Sequence, residues 1–264
     1  MSDRSSWTTP GGIWAQEVGE GPLVALVHGA MDRSGGMLRV RRVLQSSCLV
    51  LRYDRRGYAR SLRAGPPTGF DQQLDDLTEL LDGRPAVLAG HSFGGIVCLA
   101  LAERRPDLVR SVLAYEAPNM WASWWPGSTA GNQVMSLRDP HDAAEGFLRR
   151  MIGDDTWDRL PAAMRAERRA EGPALMAEMR SVRPPNPVPF DAAAITVPVV
   201  AAFGSETRPH HMRATEALAR TAPTGELRVV EGAGHGAHLT HPNEFADLVR
   251  LALARAGEPI LGGT

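Results

Sequence analysis

The sequence contains no lysine, and all 29 of its basic residues are arginine. This absence excludes a Schiff-base mechanism on a lysine of this chain and a phosphate-binding loop that depends on lysine. Cysteine is scarce as well: Cys48 and Cys98 are the two in the chain, and both lie in apolar stretches. Such residues are typical of small buried side chains, so we expect neither a disulfide framework nor a cysteine-based zinc site.

Long apolar runs and an excess of charge of one sign are also missing. The formal net charge is −1, which gives no electrostatic reason to expect a nucleic-acid or anionic-membrane partner. No apolar run approaches the length of a membrane span, and residues 1–9 lack the apolar region of a signal peptide. We therefore expect a soluble, cytoplasmic protein. Its 264 residues fit one large domain with a sizeable core.

The most informative stretch is a short apolar run followed by a glycine-flanked serine. Residues 86–89 are apolar and predict a buried strand, and an apolar helical pattern follows the serine. Between them, residues 90–94 are Gly-His-Ser-Phe-Gly, which fits the pattern G-x-S-x-G at the strand-to-helix junction that this pattern requires. Such a turn is sharp and strained, so side chains at Gly90 and Gly94 would collide with it. We predict that Ser92 is a nucleophile presented above the sheet edge.

Strands alternate with helices through most of the chain. We predict strands over residues 12–18, 23–28, 48–53, 86–89, 109–115, 197–203 and 226–230, and helices over 33–44, 71–81, 96–105, 209–220 and 242–255. Several of these strands are almost wholly apolar, as expected of parallel strands covered on both faces. The alternation favours a mostly parallel, doubly wound α/β sheet.

The alternation stops over residues 118–194, which we call the inserted segment. It shows helical patterns and loops but no convincing strand, and it is rich in tryptophan and methionine. Most of these side chains are expected to form the segment's own small core, but some must face a cleft. We predict that Met120, Trp121 and Trp125 line a substrate pocket together with Met31. A pocket of this kind favours bulky apolar groups.

Three further stretches complete a recognisable set of motifs. Residues 23–30 form an apolar strand that ends in His-Gly, residues 53–61 are Tyr-Asp-Arg-Arg-Gly-Tyr-Ala-Arg-Ser, and residues 230–242 place histidines in a glycine-rich loop. Together with the serine turn, these motifs resemble the α/β-hydrolase superfamily over almost the whole chain. The resemblance implies an α/β-hydrolase fold with a helical cap inserted after strand 6. The domain limits that it implies are 1–117 with 195–264 for the core and 118–194 for the cap.

The resemblance also implies roles for individual residues. A serine hydroxyl is barely nucleophilic at neutral pH, and His235 resembles the family's catalytic histidine, which would accept the proton of Ser92. An oxyanion hole needs two N–H donors directed at the developing negative oxygen. The backbone amides of Ala30 and Phe93 are implied as these donors.

The acid of the triad has two candidates. The family most often places it at the third residue past a glycine, which is Thr207 here and cannot serve; Glu206 lies one position earlier. Glu116 directly follows the strand predicted over 109–115, where haloalkane dehalogenases and zearalenone-type lactonases carry their acid. Either residue gives the chain order serine, acid, histidine. We predict Glu116, because a buried carboxylate needs a partner and His235 would provide it, with Glu206 as the alternative.

Histidines in the same loop raise the question of a metal. His238 and His241 follow His235 at three-residue steps. A glycine-rich loop gives no reason for three side chains to converge on one ion, and no supporting carboxylate is evident in the sequence. We therefore predict neither a metal nor a cofactor.

These residues predict acyl transfer to water. Dehalogenases and epoxide hydrolases of this fold attack with aspartate, so a serine argues against both. We predict a monomer or homodimer that hydrolyses a carboxylic ester or lactone of small to medium, apolar character, and the acid position resembles that of zearalenone-type lactonases. Two alternatives stay open: a carbon–carbon bond hydrolase acting on a ketone intermediate, and a non-catalytic ligand-binding protein of the same fold.

Overall fold

The computed structural model describes residues 6–258, and these residues contain one eight-stranded sheet. Its strands are β1 (Trp7–Thr8), β2 (Trp14–Val18), β3 (Leu23–Val27), β4 (Leu49–Tyr53), β5 (Ala86–His91), β6 (Val109–Tyr115), β7 (Val199–Gly204) and β8 (Gly225–Val230). They lie in the order β1-β2-β4-β3-β5-β6-β7-β8. The pairs β1/β2 and β2/β4 are antiparallel, and every later pair is parallel. The prediction of a mostly parallel sheet is confirmed.

Eleven α-helices accompany the sheet within the described residues. They are α1 (Leu38–Leu44), α2 (Asp71–Leu81), α3 (Phe93–Arg104), α4 (Ala130–Val134), α5 (Pro140–Ile152), α6 (Asp154–Arg159), α7 (Ala162–Ala170), α8 (Gly172–Ser181), α9 (Pro209–Thr221), α10 (Ala237–Thr240) and α11 (Pro242–Arg255). The helix predicted over residues 33–44 begins only at Leu38, so its first part is wrong. Residues 33–37 form tight turns instead, because Gly35 and Gly36 make a helix costly there.

Helices cover both faces of the sheet. Successive side chains of a strand point to opposite faces, so in β3 Ala25 and Val27 pack against one layer while Val24 and Leu26 pack against the other. The first layer contains α2, α3 and α9, and the second contains α1 and α11. Burial on both faces explains the nearly unbroken apolar strands of the sequence. As far as residues 6–258 are concerned, no helix combines the length and apolar character that crossing a membrane requires.

Five helices, α4 to α8, occupy the chain between β6 and β7, and no strand is found among residues 118–194. The last of them, α8, is anchored to the core by a buried carboxylate. Glu178 accepts hydrogen bonds from the Tyr58 hydroxyl at 2.7 Å and from Gln73 Nε2 at 3.1 Å, and it forms an ion pair with Arg55. Burial raises the pKa of Glu178, and Arg55 opposes this effect.

A second anchor joins α7 and α8 to the loop that follows β3. The buried Glu171 accepts hydrogen bonds from Arg33 Nε at 2.7 Å and from the Ala59 amide at 2.9 Å. Arg168 pairs with Glu171 at 3.0 Å and also donates to the carbonyl oxygen of Met31. The inserted segment is therefore tied to the loop that contains Ala30, one of the predicted oxyanion donors.

Candidate active site

Ser92 lies in a strained turn between β5 and α3. Its backbone has φ 53° and ψ −122°, a conformation that residues other than glycine adopt rarely and that clusters at functional sites. A Cβ atom on Gly90 would lie 2.5 Å from the Gly94 carbonyl oxygen, and one on Gly94 would lie 2.2 Å from that of Val27. The predicted collision with the turn is confirmed for Gly90, whereas a side chain at Gly94 would collide with the end of β3. Phe93 is the first residue of α3, so its N–H has no partner within the helix and is available to a ligand.

Parallel pairing brings the ends of three strands together beside this turn. The Ser92 amide donates to the Tyr115 carbonyl oxygen at 2.9 Å, and the Glu116 amide donates to that of Ala202 at 2.9 Å. The Tyr115 hydroxyl donates to the Gly234 carbonyl oxygen at 2.9 Å and so holds the loop after β8. The crevice at the carboxyl ends of the strands is where an open α/β sheet places its chemistry.

Glu116 contacts His235 across this crevice. Its carboxylate is fully buried, and Oε2 lies 2.6 Å from Nδ1 of His235, whose side chain is 21 % exposed. Oε1 accepts the Gly204 amide at 3.0 Å, and Oε2 also accepts the Thr207 hydroxyl at 2.8 Å. A hydrogen bond at Nδ1 leaves Nε2 as the nitrogen that can take up a proton.

The alternative acid is placed differently. Glu206 is exposed, and its amide donates to the Ala233 carbonyl oxygen at 2.9 Å. Of the two candidates, only Glu116 contacts His235 within the described residues. Thr207 was not predicted as a site residue, because its side chain cannot serve as the acid; its hydrogen bond to Glu116 is seen only in the structure.

Two more histidines pack against His235. The ring of His211 stacks on it with centroids 4.4 Å apart and 24° between the planes, and the ring of His91 lies 4.7 Å away. His91 Nε2 donates to the His235 carbonyl oxygen at 2.8 Å. Burial lowers the pKa of His91 well below its usual range and, with a further contribution from His235, lowers that of His211 to about 2. Both are neutral at physiological pH, so they position His235 without adding charge.

Two groups of side chains in the described part of the chain have the composition of a metal site. Ligand atoms lie within 4.8 Å of one another in each of them, which are Asp32 with His91 and His238, and Glu116 with His211 and His235. The sequence shows no carboxylate beside these histidines, but in the structure Asp32 Oδ2 lies 3.0 Å from His238 Nε2, a contact between segments far apart in the chain. His241 belongs to neither group. Each carboxylate is already hydrogen-bonded to a histidine, and the absence of a metal stays a prediction.

Ser92 and His235 open onto a cavity of about 370 Å³, within the usual range for small-molecule sites. Its wall includes Ala30, Phe93, Met120, Trp125, Phe147, Met179, Glu206, Thr207, Arg208, His210 and His211. The predicted Met120 and Trp125 are among them, but Met31 and Trp121 are not. Met31 is buried in the core at 2 % exposure, and Trp121 packs edge-on against Phe190 with centroids 5.5 Å apart.

Comparison with known proteins is consistent with this geometry. A model of the Alpha/beta hydrolase family matches residues 24–248. The chain is 34% identical over 109 residues to the uncharacterized hydrolase YraK of Bacillus subtilis, a match that covers 39% of this chain and 40% of that protein. It is 29% identical over 209 residues to the pimeloyl-acyl-carrier protein methyl ester esterase of Neisseria meningitidis, covering 70% of this chain and 75% of that protein.

A solved structure shows the same fold. The enol-lactonase of Burkholderia xenovorans LB400 superimposes with a TM-score of 0.70 at 22% identity, over 92% of this chain and 96% of that chain. The first two curated relatives are matched over about two fifths of their length, at 40% and 37%.

Proposed function

The chain belongs to the α/β-hydrolase family, and we propose that it is a hydrolase that cleaves a carboxylic ester or lactone through an acyl-enzyme on Ser92. One observation carries the proposal: Glu116 Oε2 lies 2.6 Å from Nδ1 of His235, which shares a cavity with Ser92. A histidine held by a carboxylate, in the same cavity as a partly buried serine, is the arrangement that acyl transfer needs. The names of the Neisseria esterase and the Burkholderia lactonase support both substrate classes.

Acylation begins when Ser92 Oγ attacks the carbonyl carbon while its proton passes to His235 Nε2. The carbonyl electron pair moves to oxygen, and the amides of Ala30 and Phe93 stabilise this negative charge with help from the N-terminus of α3. The carbon–oxygen bond to the leaving group then breaks, and the leaving oxygen takes the proton from His235. Glu116 stays ionised, fixes the orientation of the imidazole and stabilises its charged form.

Deacylation repeats these steps with water. Water attacks the acyl carbon while His235 takes one of its protons, and the bond to Ser92 breaks as the oxygen of Ser92 recovers a proton. An ester yields an acid and an alcohol, and a lactone yields one hydroxy acid. We propose that residues 118–194 act as a cap, since α5 and α8 contribute Phe147 and Met179 to the cavity wall. These apolar side chains suit a substrate with an apolar body.

Covalent labelling tests the proposed function. The wild-type protein is expected to hydrolyse nitrophenyl butyrate, and an alkyl fluorophosphonate is expected to stop this activity by bonding to Ser92 Oγ with loss of fluoride. Mass spectrometry of the digested protein locates the label, with heat-denatured protein as the control. A label on another residue, or ester hydrolysis that survives complete labelling of Ser92, would contradict the acyl-enzyme.

Valine in place of Thr207 removes the hydroxyl that donates to Glu116 and keeps the shape of the side chain. We expect kcat for nitrophenyl butyrate to fall about 10-fold, since a hydrogen bond to a charged group is lost beside His235. Serine at the same position is the matched control, because it keeps the donor. The measurement is steady-state kinetics. Equal kcat for the valine variant and the wild type would show that the Thr207 hydroxyl does not support catalysis through Glu116.

A further inference from the structure

Two arginines line the cavity beside Ser92, and no carboxylate among the described residues forms an ion pair with either of them. Arg208 is exposed at the start of α9, and Arg150 is exposed in the last turn of α5. Neither forms an ion pair with another described residue. Arg150 donates to two neutral acceptors, Gln133 Oε1 at 2.7 Å and the Ser128 carbonyl oxygen at 2.5 Å. Neither guanidinium group is therefore neutralised by a carboxylate partner.

The preceding residue on α5 shows the contrast. Arg149 forms ion pairs with Glu145, Asp154 and Asp158, at distances of 2.9, 3.1 and 2.7 Å. Adjacent helical residues point in different directions, so Arg149 faces acidic groups on the outer surface while Arg150 reaches the cavity. Arg149, which does not line the cavity, is paired with three acids, and Arg150, which does, is paired with none.

The positive charge of these arginines contributes to lowering the pKa of two histidines in the cavity wall. The pKa of His210 is lowered by burial first and then by Arg208, with a smaller contribution from Arg150. The pKa of His211 is lowered to about 2 by burial first, then by His235 and His210, and also by Arg208. Among the described residues that line the cavity, Glu206 is the one carboxylate. The wall is therefore positively charged at physiological pH.

The N-terminus of α9, the helix that follows Arg208, adds to the positive charge of the cavity wall. α9 begins at Pro209 with no side-chain cap and no acidic residue in its first turn, so the partial positive charge of its N-terminus is uncompensated. The apolar side chains of Met120, Trp125 and Phe147 line the same cavity. An apolar wall together with two unpaired guanidinium groups fits a molecule with a hydrocarbon body and one anionic end.

We propose that the substrate carries a free carboxylate in addition to its ester or lactone bond, and that Arg208 and Arg150 bind this carboxylate. The planar guanidinium group matches a carboxylate with paired hydrogen bonds, and it stays charged at every physiological pH. Half-esters of dicarboxylic acids and lactones with a carboxylate side chain belong to this class. The inference rests on the proposed function, because it names the substrate class of the same cavity.

Matched esters test this preference. Monoethyl adipate and ethyl hexanoate share a six-carbon acyl chain and differ in the terminal carboxylate, and the hexanoyl ester of hydroxyhexanoate carries the carboxylate in the alcohol half. We expect the wild type to prefer one of the two anionic esters to the neutral one in kcat/KM. Arg208→Gln and Arg150→Gln should each raise KM for that ester about 10-fold, since each removes a charged hydrogen-bond donor. KM for ethyl hexanoate should change less than KM for that anionic ester, since the neutral ester has no carboxylate for the arginines to bind.

The controls separate this inference from the proposed function. Arg220→Gln removes a charge from the last turn of α9, outside the cavity, and should leave kcat/KM unchanged for both the anionic and the neutral ester. Equal or better use of ethyl hexanoate by the wild type, or a preference that survives both substitutions, would overturn the carboxylate site while leaving the ester hydrolase intact. Calorimetric binding of adipate to Ser92→Ala tests the arginines without turnover. Weaker binding after adding Arg208→Gln supports the site, and unchanged binding overturns it.

Discussion

Alanine in place of Ser92 is expected to lower kcat for nitrophenyl butyrate by about 10⁵-fold or more, the scale seen when a serine hydrolase loses its nucleophile. The acyl-enzyme cannot form without Oγ, and the rate that remains would come from the oxyanion hole and from binding. The strained backbone at position 92 carries a Cβ atom in both proteins, so the free energy of unfolding should change little. Release of nitrophenol, followed by absorbance, measures the effect.

The control for this substitution is a serine elsewhere in the fold. Ser181 lies at the end of α8, where its hydroxyl donates to the Glu178 carbonyl oxygen at 2.8 Å, and it does not line the cavity. Ser181→Ala should therefore retain the wild-type kcat. Equal activity in Ser92→Ala and the wild type would disprove the serine-hydrolase mechanism, whatever the substrate.

Glutamine in place of Glu116 is expected to lower kcat by about 10⁴-fold, the effect of the equivalent change in a serine-protease triad. The amide nearly matches the shape of the carboxylate but cannot stabilise the charged imidazole, and its NH₂ group favours the wrong tautomer of His235. Burial makes the loss severe, because no water can replace the carboxylate at a fully buried position. The measurement is kcat for nitrophenyl butyrate.

Glu206→Gln is the matched control for this second substitution. The two glutamates are the alternative acids, and both variants replace a carboxylate with an amide of nearly the same shape. Glu206 is exposed and has no contact with His235 among the described residues, so we expect a change in kcat of about twofold or less. The reverse result, with Glu206→Gln inactive and Glu116→Gln active, would assign the acid to the loop after β7.

The parts of the fold that depend on local pattern were predictable from the sequence. The ends of α2, α11 and β6 match the predicted ends, because apolar spacing and nearby turn residues determine them locally. The turn at Ser92 was predictable for a steric reason, since Gly90 and Gly94 have no room for a side chain. Glu116 was singled out by its place at a strand end.

Contacts between distant parts of the chain were not predictable. Asp32 contacts His238, and Thr207 contacts Glu116, because the sheet brings separate loops to one edge. No periodic pattern in the sequence indicates these contacts. His211 lies in the first turn of α9 and gives no sign in the sequence that its ring stacks on His235. The pocket predictions failed at Met31 for a related reason, since burial in the core and exposure to a cavity select the same apolar residues.

The buried anchor of α8 has a consequence for enzyme engineering. Removing one partner of a buried ion pair costs about 3–5 kcal/mol, a large part of the roughly 5–15 kcal/mol by which a domain is stable. Mutant libraries that change Glu178 or Arg55 would therefore lose most members to misfolding before any were screened. Met120 and Trp125 are only partly buried and line the cavity without belonging to this anchor, so directed evolution of substrate range should start with them.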